Sequence, residues 1–361
     1  MPPNIKPDEG YRPMRTIPLG STDIQISELC LGTMTWGTQT DQVDAHQQIE
    51  VSLDAGINII DTAEMYPVNP VLAETVGDTE VIFGNWIGAN PSRRDEYQLA
   101  TKIAGKNGAF VRIGQDITAE TFLEAFDQSL RRLQTDYIDI YQLHWPNRGS
   151  YHFRQLWGFD PSAQDKAVTL ENMAAVLDAA QGLVKAGKLR HFALSNESAW
   201  GTTQWIRQAE DKGLPRVQSI QNEYSLLCRQ YDTDLAEMAV NEQITLLAYS
   251  PLATGLLTGK YQNGAVPKGS RMDINGSLGG RKTDRVFSAV GAYQEIADRH
   301  GLDLTLMSLA WCQTRPFGIS AIFGATDVGQ LHHILKSADM VLDAEILAEI
   351  DAAHRAHPMP Y

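Results

Sequence analysis

The sequence predicts an α/β chain folded as a (β/α)8 barrel, with an N-terminal β-hairpin and long loops after its strands. Three observations carry this: eight short apolar runs, helical segments between them, and no GxGxxG fingerprint of the rival open sheet. Near-continuous apolar strands joined by helices are parallel strands covered by helices, because parallel pairs need long crossovers and are buried on both faces.

In chain order, Met14 to Ile17 and Ile24 to Ser27 flank the turn Leu19-Gly20-Ser21-Thr22-Asp23 and read as a hairpin. The strands follow at Leu29 to Leu31, Ile57 to Ile60, Tyr97 to Ala100, Tyr137 to Leu143, His191 to Leu194, Val217 to Ile220, Ile244 to Ala248 and Ile319 to Phe323. Helical spacing and end signals mark Ala45 to Ala55, Ala119 to Leu133, Leu170 to Ala186 and Ala199 to Lys212. The same signals mark Asp232 to Val240, Arg285 to His300 and Gln330 to Lys336. Gln262 to Lys282 reads as a loop, residues 1–13 as an N-terminal extension, and 14–361 as one barrel domain.

Composition narrows the function. With 361 residues, 43% of them hydrophobic, the chain can bury a large core. A net charge of −14 argues against nucleic acid and anionic membranes and for a small-molecule partner. Cys30, Cys228 and Cys312 lie far apart without CxxC or zinc spacing, so buried free thiols and no metal are expected. The first residues lack the apolar core of a signal peptide, and no run reaches about 18 apolar residues, which together predict a cytoplasmic protein.

Barrel chemistry sits at the carboxyl ends of the strands. There the second run ends in Asp61 with Tyr66 five residues on, the third in Lys102, and the fourth in His144. Singly, Asp61 reads as a cap, Tyr66 as rim packing and His144 as a core histidine; Lys102 in a buried strand needs a partner, which Asp61 supplies. Jointly they converge on one mouth. A lysine cation stabilises a nearby phenolate and so lowers the phenol's pKa, which would let Tyr66 protonate a carbonyl oxygen while His144 hydrogen-bonds it. Side chains supply no hydride, so a nicotinamide cofactor is required.

The second half offers a cradle for it. Ser195-Asn196, Gln221 and Tyr249-Ser250-Pro251-Leu252 end the next three strands and suit a carboxamide and an aromatic ring. Gly255, Gly259 and Gly264 permit close approach, Lys260 and Arg271 are cations for phosphate, and Gly324-Ala325-Thr326 leads into a helix that could face the adenosine side.

Through Leu31-Gly32-Thr33-Met34-Thr35-Trp36-Gly37, Asp61-Thr62-Ala63-Glu64-Met65-Tyr66-Pro67, Arg132-Leu133-Gln134-Thr135-Asp136-Tyr137 and His144-Trp145-Pro146, the sequence resembles the aldo-keto reductase superfamily and its bacterial Tas-like branch. Leu247 to Leu252, Gly259-Lys260-Tyr261 and Gly324-Ala325-Thr326 extend the match from about Met14 to the C-terminus. The resemblance implies a barrel that binds NADPH or NADP+ across its mouth and reduces an aldehyde or ketone, with Asp61, Tyr66, Lys102 and His144 as catalytic tetrad. It places Gly32, Thr33, Met34, Asp61, Ser195, Asn196, Gln221 and Tyr249 at the nicotinamide. Ser250, Pro251, Leu252, Gly255 and Leu257 fall at the diphosphate, Lys260 and Arg271 at the 2′-phosphate, and Gly324, Thr326 and Gln330 nearer the adenosine. In one departure, His333 and Ile334 stand where relatives carry Glu-Asn against the adenine, which weakens the expected NADPH grip.

For the carbonyl substrate the sequence offers Trp36, Tyr66, His144 and Trp145, with Tyr151, Phe153, Trp157 and Phe159 of the loop from Asn147 to Lys166. Two other readings use the same residues: an NADPH-binding redox-sensing subunit resembling potassium-channel β-subunits, and a barrel aldolase or isomerase with Lys102 as Schiff-base nucleophile. Oligomeric state leaves no mark in the sequence.

Overall fold

The computed structural model describes residues 14–106 and 110–361; the expected extension 1–13 lies outside them. A two-stranded antiparallel hairpin, β1 (Thr16–Pro18) and β2 (Gln25–Ser27), precedes eight parallel strands. These are β3 (Leu29–Gly32), β4 (Ile59–Asp61), β5 (Gln98–Ile103), β6 (Ile138–Leu143), β7 (Leu189–Ser195), β8 (Val217–Glu223), β9 (Thr245–Tyr249) and β10 (Ile319–Phe323). They close on themselves in chain order, with β10 hydrogen-bonded to both β9 and β3, so the architecture is a (β/α)8 barrel.

The helices are α1 (Gln42–Asp54), α2 (Asp78–Ala89), α3 (Ala119–Leu133), α4 (Lys166–Lys185), α5 (Ala199–Lys212) and α6 (Asp234–Asn241). They continue with α7 (Arg271–Ile274), α8 (Val286–Arg299), α9 (Leu304–Cys312), α10 (Val328–Leu335) and α11 (Ala344–Ala356). Side-chain caps start several of them: Thr118 Oγ1 accepts from Thr121 N at 3.2 Å, and Asp303 Oδ1 from Leu306 N at 3.0 Å. α2, α9 and α11 were not expected, and the region expected as a loop contains the single turn of α7.

Two apolar layers result from the strand pleat, which sends alternate side chains inward and outward. Inside the barrel, Cys30, Ile59, Ala100, Ile140, Ala193, Leu247 and Ile322 pack with Leu19 and Ile26 of the hairpin. The hairpin thereby seals the amino end of the barrel. It is tied down by Gly20 N donating to Thr245 Oγ1 at 2.8 Å and Ser21 N to Gln218 Oε1 at 3.0 Å. A larger core fills the space between strands and helices. With one end closed, the carboxyl mouth is left to hold a ligand. Among the described residues, no helix is long and apolar enough to cross a membrane.

Candidate active site

Asp61 is the last residue of β4, Lys102 lies in β5, and His144 follows β6 directly. Outward-facing Thr101 bonds Glu80 of α2 at 2.6 Å, so the pleat turns Lys102 inward, where its side chain is completely buried. A buried ammonium needs acceptors, and it has three: Asp61 Oδ2 at 2.6 Å, Thr62 O at 2.7 Å and Tyr66 Oη at 3.4 Å. The other Asp61 oxygen accepts from Gln142 Nε2 at 3.0 Å and Gln221 Nε2 at 2.8 Å. The Tyr66 and His144 rings meet edge to face, 5.8 Å between centroids. The four residues of the expected tetrad therefore share one cluster.

Its electrostatics follow from burial and the charges within it. Burial pulls the Lys102 ammonium down, but Asp61 and Tyr66 outweigh it and the net shift is upward. Lysine is thus held charged, which is unfavourable for the Schiff-base reading. For Tyr66 the sequence expectation is reversed. Burial is the larger influence and raises the phenol, although Lys102 does act to lower it. His144 is pushed well below the ordinary imidazole value by burial and then by the Lys102 cation, so it is neutral at physiological pH. Its Nδ1 is buried without a hydrogen-bond partner, while its backbone N–H donates to Ile103 O at 3.0 Å.

A cavity of about 1190 Å³ opens above this cluster, larger than most small-ligand sites and roomy enough for a dinucleotide beside a substrate. Its walls include Asp61, Tyr66, His144 and Trp145, and also Gly32, Thr33, Met34, Asn196, Gln221, Tyr249, Ser250, Pro251, Leu252 and Gly255. Lys260, Arg271, Gly324, Thr326 and Gln330 complete the predicted set that lines it. Asn196 is fixed by Nδ2 donating to His144 O at 2.9 Å and by Tyr249 Oη donating to its Oδ1 at 2.8 Å. Gln330 is engaged locally, its Nε2 donating to Thr326 Oγ1 at 2.7 Å. His333 and Ile334 also face the cavity; His333 Nε2 lies 3.3 Å from Asp303 Oδ2, and Ile334 is part of the apolar core.

Three expected contacts lie elsewhere. Trp36 is completely buried, edge-on to Phe83 with its indole N–H toward Gln48, so it is not among the residues that line the cavity. Leu257 belongs to the core, and Ser195 sits behind Asn196, donating to Gln221 O at 2.8 Å. Of the loop aromatics, Phe153 reaches the cavity; Tyr151 packs on His152 and Phe159, and Trp157 is exposed. Sequence reasoning missed Arg154 and Arg281, which also line it; nothing in their local sequence marks them.

The Aldo/keto reductase family profile matches residues 28–355. The chain is 41% identical to Protein tas of Escherichia coli over 94% of its own length and 97% of that protein. It is 29% identical to the NADH-specific methylglyoxal reductase of E. coli, covering 94% and 99%, and 29% identical to a probable voltage-gated potassium channel subunit beta of Arabidopsis thaliana, covering 94% and 96%. Barrel, site and likenesses define an oxidoreductase of the (β/α)8 class. The chain belongs to the aldo-keto reductase family.

Proposed function

We propose that the protein reduces an aldehyde or ketone to the alcohol, with NADPH as hydride donor and Asp61, Tyr66, Lys102 and His144 as its catalytic group. The observation that carries this is Lys102 Nζ, charged and held among Asp61, Thr62 O and the Tyr66 hydroxyl at the floor of the cavity. Tyr66 hydrogen-bonds the carbonyl oxygen and gives it a proton as negative charge develops there. Lys102 stabilises the phenolate left behind, Asp61 keeps Lys102 charged and in place, and neutral His144 orients the same oxygen.

The residues present suit the cofactor. Gln221 spends its amide N–H groups on Asp61 and on Gln142 Oε1, leaving its oxygen for a carboxamide N–H; Tyr249 supplies a ring face. Ser250, Pro251, Leu252 and Gly255 would hold the diphosphate. Arg271 is mostly buried, and burial and Arg281 pull it down to about 10; the other groups acting on it are the phenol oxygens of Tyr261 and Tyr66, with no carboxylate among them. Lys260 is lowered by burial and then by Arg271, so an anionic phosphate between them relieves both. NADPH held by these residues would supply the hydride, and Tyr66 would supply the proton to the carbonyl oxygen. We infer a cytoplasmic enzyme with no nucleic-acid partner, since the three cysteines are unpaired and the net charge is −14.

Fluorescence titration with NADPH and NADH, followed by NADPH oxidation with a panel of aldehydes, tests this. Aldehyde-dependent oxidation establishes the reductase; no binding of either nucleotide overturns it. Tight binding without turnover would favour a redox-sensing subunit, a reading to which the likeness to the Arabidopsis protein lends weight.

A further inference from the structure

The loop after β6 carries a side chain that neither the tetrad nor the cofactor cradle uses. From the floor the wall runs Tyr66, His144, Trp145, Phe153, with His144 and Trp145 centroids 4.9 Å apart and Trp145 edge-on to Phe153 at 5.9 Å. Arg154 is next. Phe153 and Arg154 both have left-handed backbone, φ 55° and 64°, a conformation that costs free energy for residues with side chains. Both line the cavity, at the end of the aromatic wall that starts from Tyr66 and His144.

Arg154 is short of negative charge. Its Nη1 donates to Glu223 Oε2 at 2.9 Å, but Glu223 Oε1 already accepts from Arg281 Nε at 2.7 Å and from the hydroxyl of Tyr361 at 3.1 Å. Two guanidinium groups thus share one carboxylate, and Glu223 is the carboxylate that pairs with each. Arg154 Nε is buried with no hydrogen-bond partner. A cavity wall built this way is one positive charge in excess and has donors to spare, the condition that a ligand anion corrects. Lys260 and Arg271 stand on the segment after β9, and Arg281 of that segment reaches Ser250 Oγ at 3.4 Å, so the cofactor phosphates have their own cations and Arg154 is the member of the pair carried by the loop after β6.

We propose that Arg154 is a specificity residue and that the substrate is an oxo-acid: an aldehyde or ketone whose carboxylate Arg154 binds, with an apolar or aromatic spacer along Trp145 and Phe153. This deepens the reductase reading and rests on it for the reaction, though not for the binding.

The test compares 4-formylbenzoate with its methyl ester, which differ in charge and share the aldehyde and ring. In the wild type kcat/KM should favour the acid by about 10-fold or more, the value of a charge-assisted hydrogen bond in a sheltered site. Arg154→Gln should bring the acid-to-ester ratio to about one, and Arg154→Lys should restore part of it. Because the readout is a ratio, a general loss of folded enzyme does not mimic the effect. Calorimetric titration of both compounds supplies the same ratio without turnover. Equal use of acid and ester, or a ratio that R154Q leaves unchanged, overturns the proposal while the reductase stands. Tighter binding of the acid with no reduction of either compound would sustain the Arg154 site and sink the reductase reading.

Discussion

Lys102 Nζ lies 2.6 Å from Asp61 Oδ2, with both side chains sealed from solvent at the floor of the cavity. Such a pair is weak evidence of stability as a whole, yet removing one member strands the other charge. Asp61→Asn removes the carboxylate charge beside the Lys102 ammonium and leaves it uncharged acceptors, and burial then pulls it toward the neutral amine. Urea denaturation should show a loss of about 3 kcal/mol. Carbonyl reduction should fall roughly 100-fold, because a neutral lysine no longer stabilises phenolate. An Asp61→Asn protein of wild-type stability and rate would mean that the ion pair serves neither fold nor chemistry.

Shifts in opposite directions on Tyr66 and His144 fix the pH profile. An acid must be protonated to act, so activity is present below the Tyr66 pKa and lost as pH rises through it; burial has moved that limit upward from 10. His144 is pushed well below its usual value and stays neutral, so it contributes no inflection near 6.5. Measured kcat/KM for a neutral aldehyde should be flat through the neutral range, with no inflection at the ordinary histidine value, and decline only at a pH above the ordinary phenol value. Tyr66→Phe should remove most of the rate, by about 100-fold or more, and leave NADPH affinity near wild type. A titration near 6.5 that Tyr66→Phe leaves in place would reassign the proton donor to His144.

The proposed 2′-phosphate seat makes Arg271 the residue expected to separate the two nicotinamide nucleotides. With its amide turned to present oxygen, Asn69 accepts from Arg271 Nε at 2.9 Å, a neutral partner that leaves the positive charge uncompensated. Arg271→Met should weaken NADPH binding about 10- to 100-fold and leave NADH nearly unchanged, since NADH lacks the 2′-phosphate. An equal loss for both nucleotides would place the guanidinium at the diphosphate.

All eight barrel strands were legible because buried parallel strands are short apolar runs bounded by polar residues. The clustering of Asp61, Tyr66, Lys102 and His144 was legible because polar residues at the carboxyl ends of barrel strands share one mouth. Helical periodicity fails where a helix is buried on all sides: every residue of α9 is buried, and α2 buries seven of its twelve, so no apolar stripe stands out. That omission explains the misplacement of Trp36, whose packing partner Phe83 lies on α2. The start of α11 did leave a signal, Asp343 as cap with Ile346 and Ile350 one turn apart. The Glu223 network was invisible because its partners stand at positions 154, 281 and 361 and meet only in the folded chain.

Gly84 tests the packing of the helix that periodicity did not reveal. α2 approaches α3 so closely that a Cβ on Gly84 would lie 1.9 Å from Arg132 O and 2.9 Å from Leu133 C, both backbone atoms that cannot swing aside. The same contact is fastened by Glu80, whose Oε2 accepts from Arg132 Nε at 2.7 Å. Gly84→Ala must therefore push two helices apart, at a cost of about 1–3 kcal/mol, despite alanine's better helix propensity. Gly182 in α4 supplies the contrast: it is exposed, and nothing lies within 4 Å of its Cβ position. There the same substitution should stabilise the protein by about 0.5–1 kcal/mol through backbone entropy alone. Thermal denaturation of the two variants should move Tm in opposite directions. If Gly84→Ala raised Tm as Gly182→Ala does, α2 and α3 would not be in backbone contact, and the seat of Glu80 and Thr101 behind Lys102 would need another explanation.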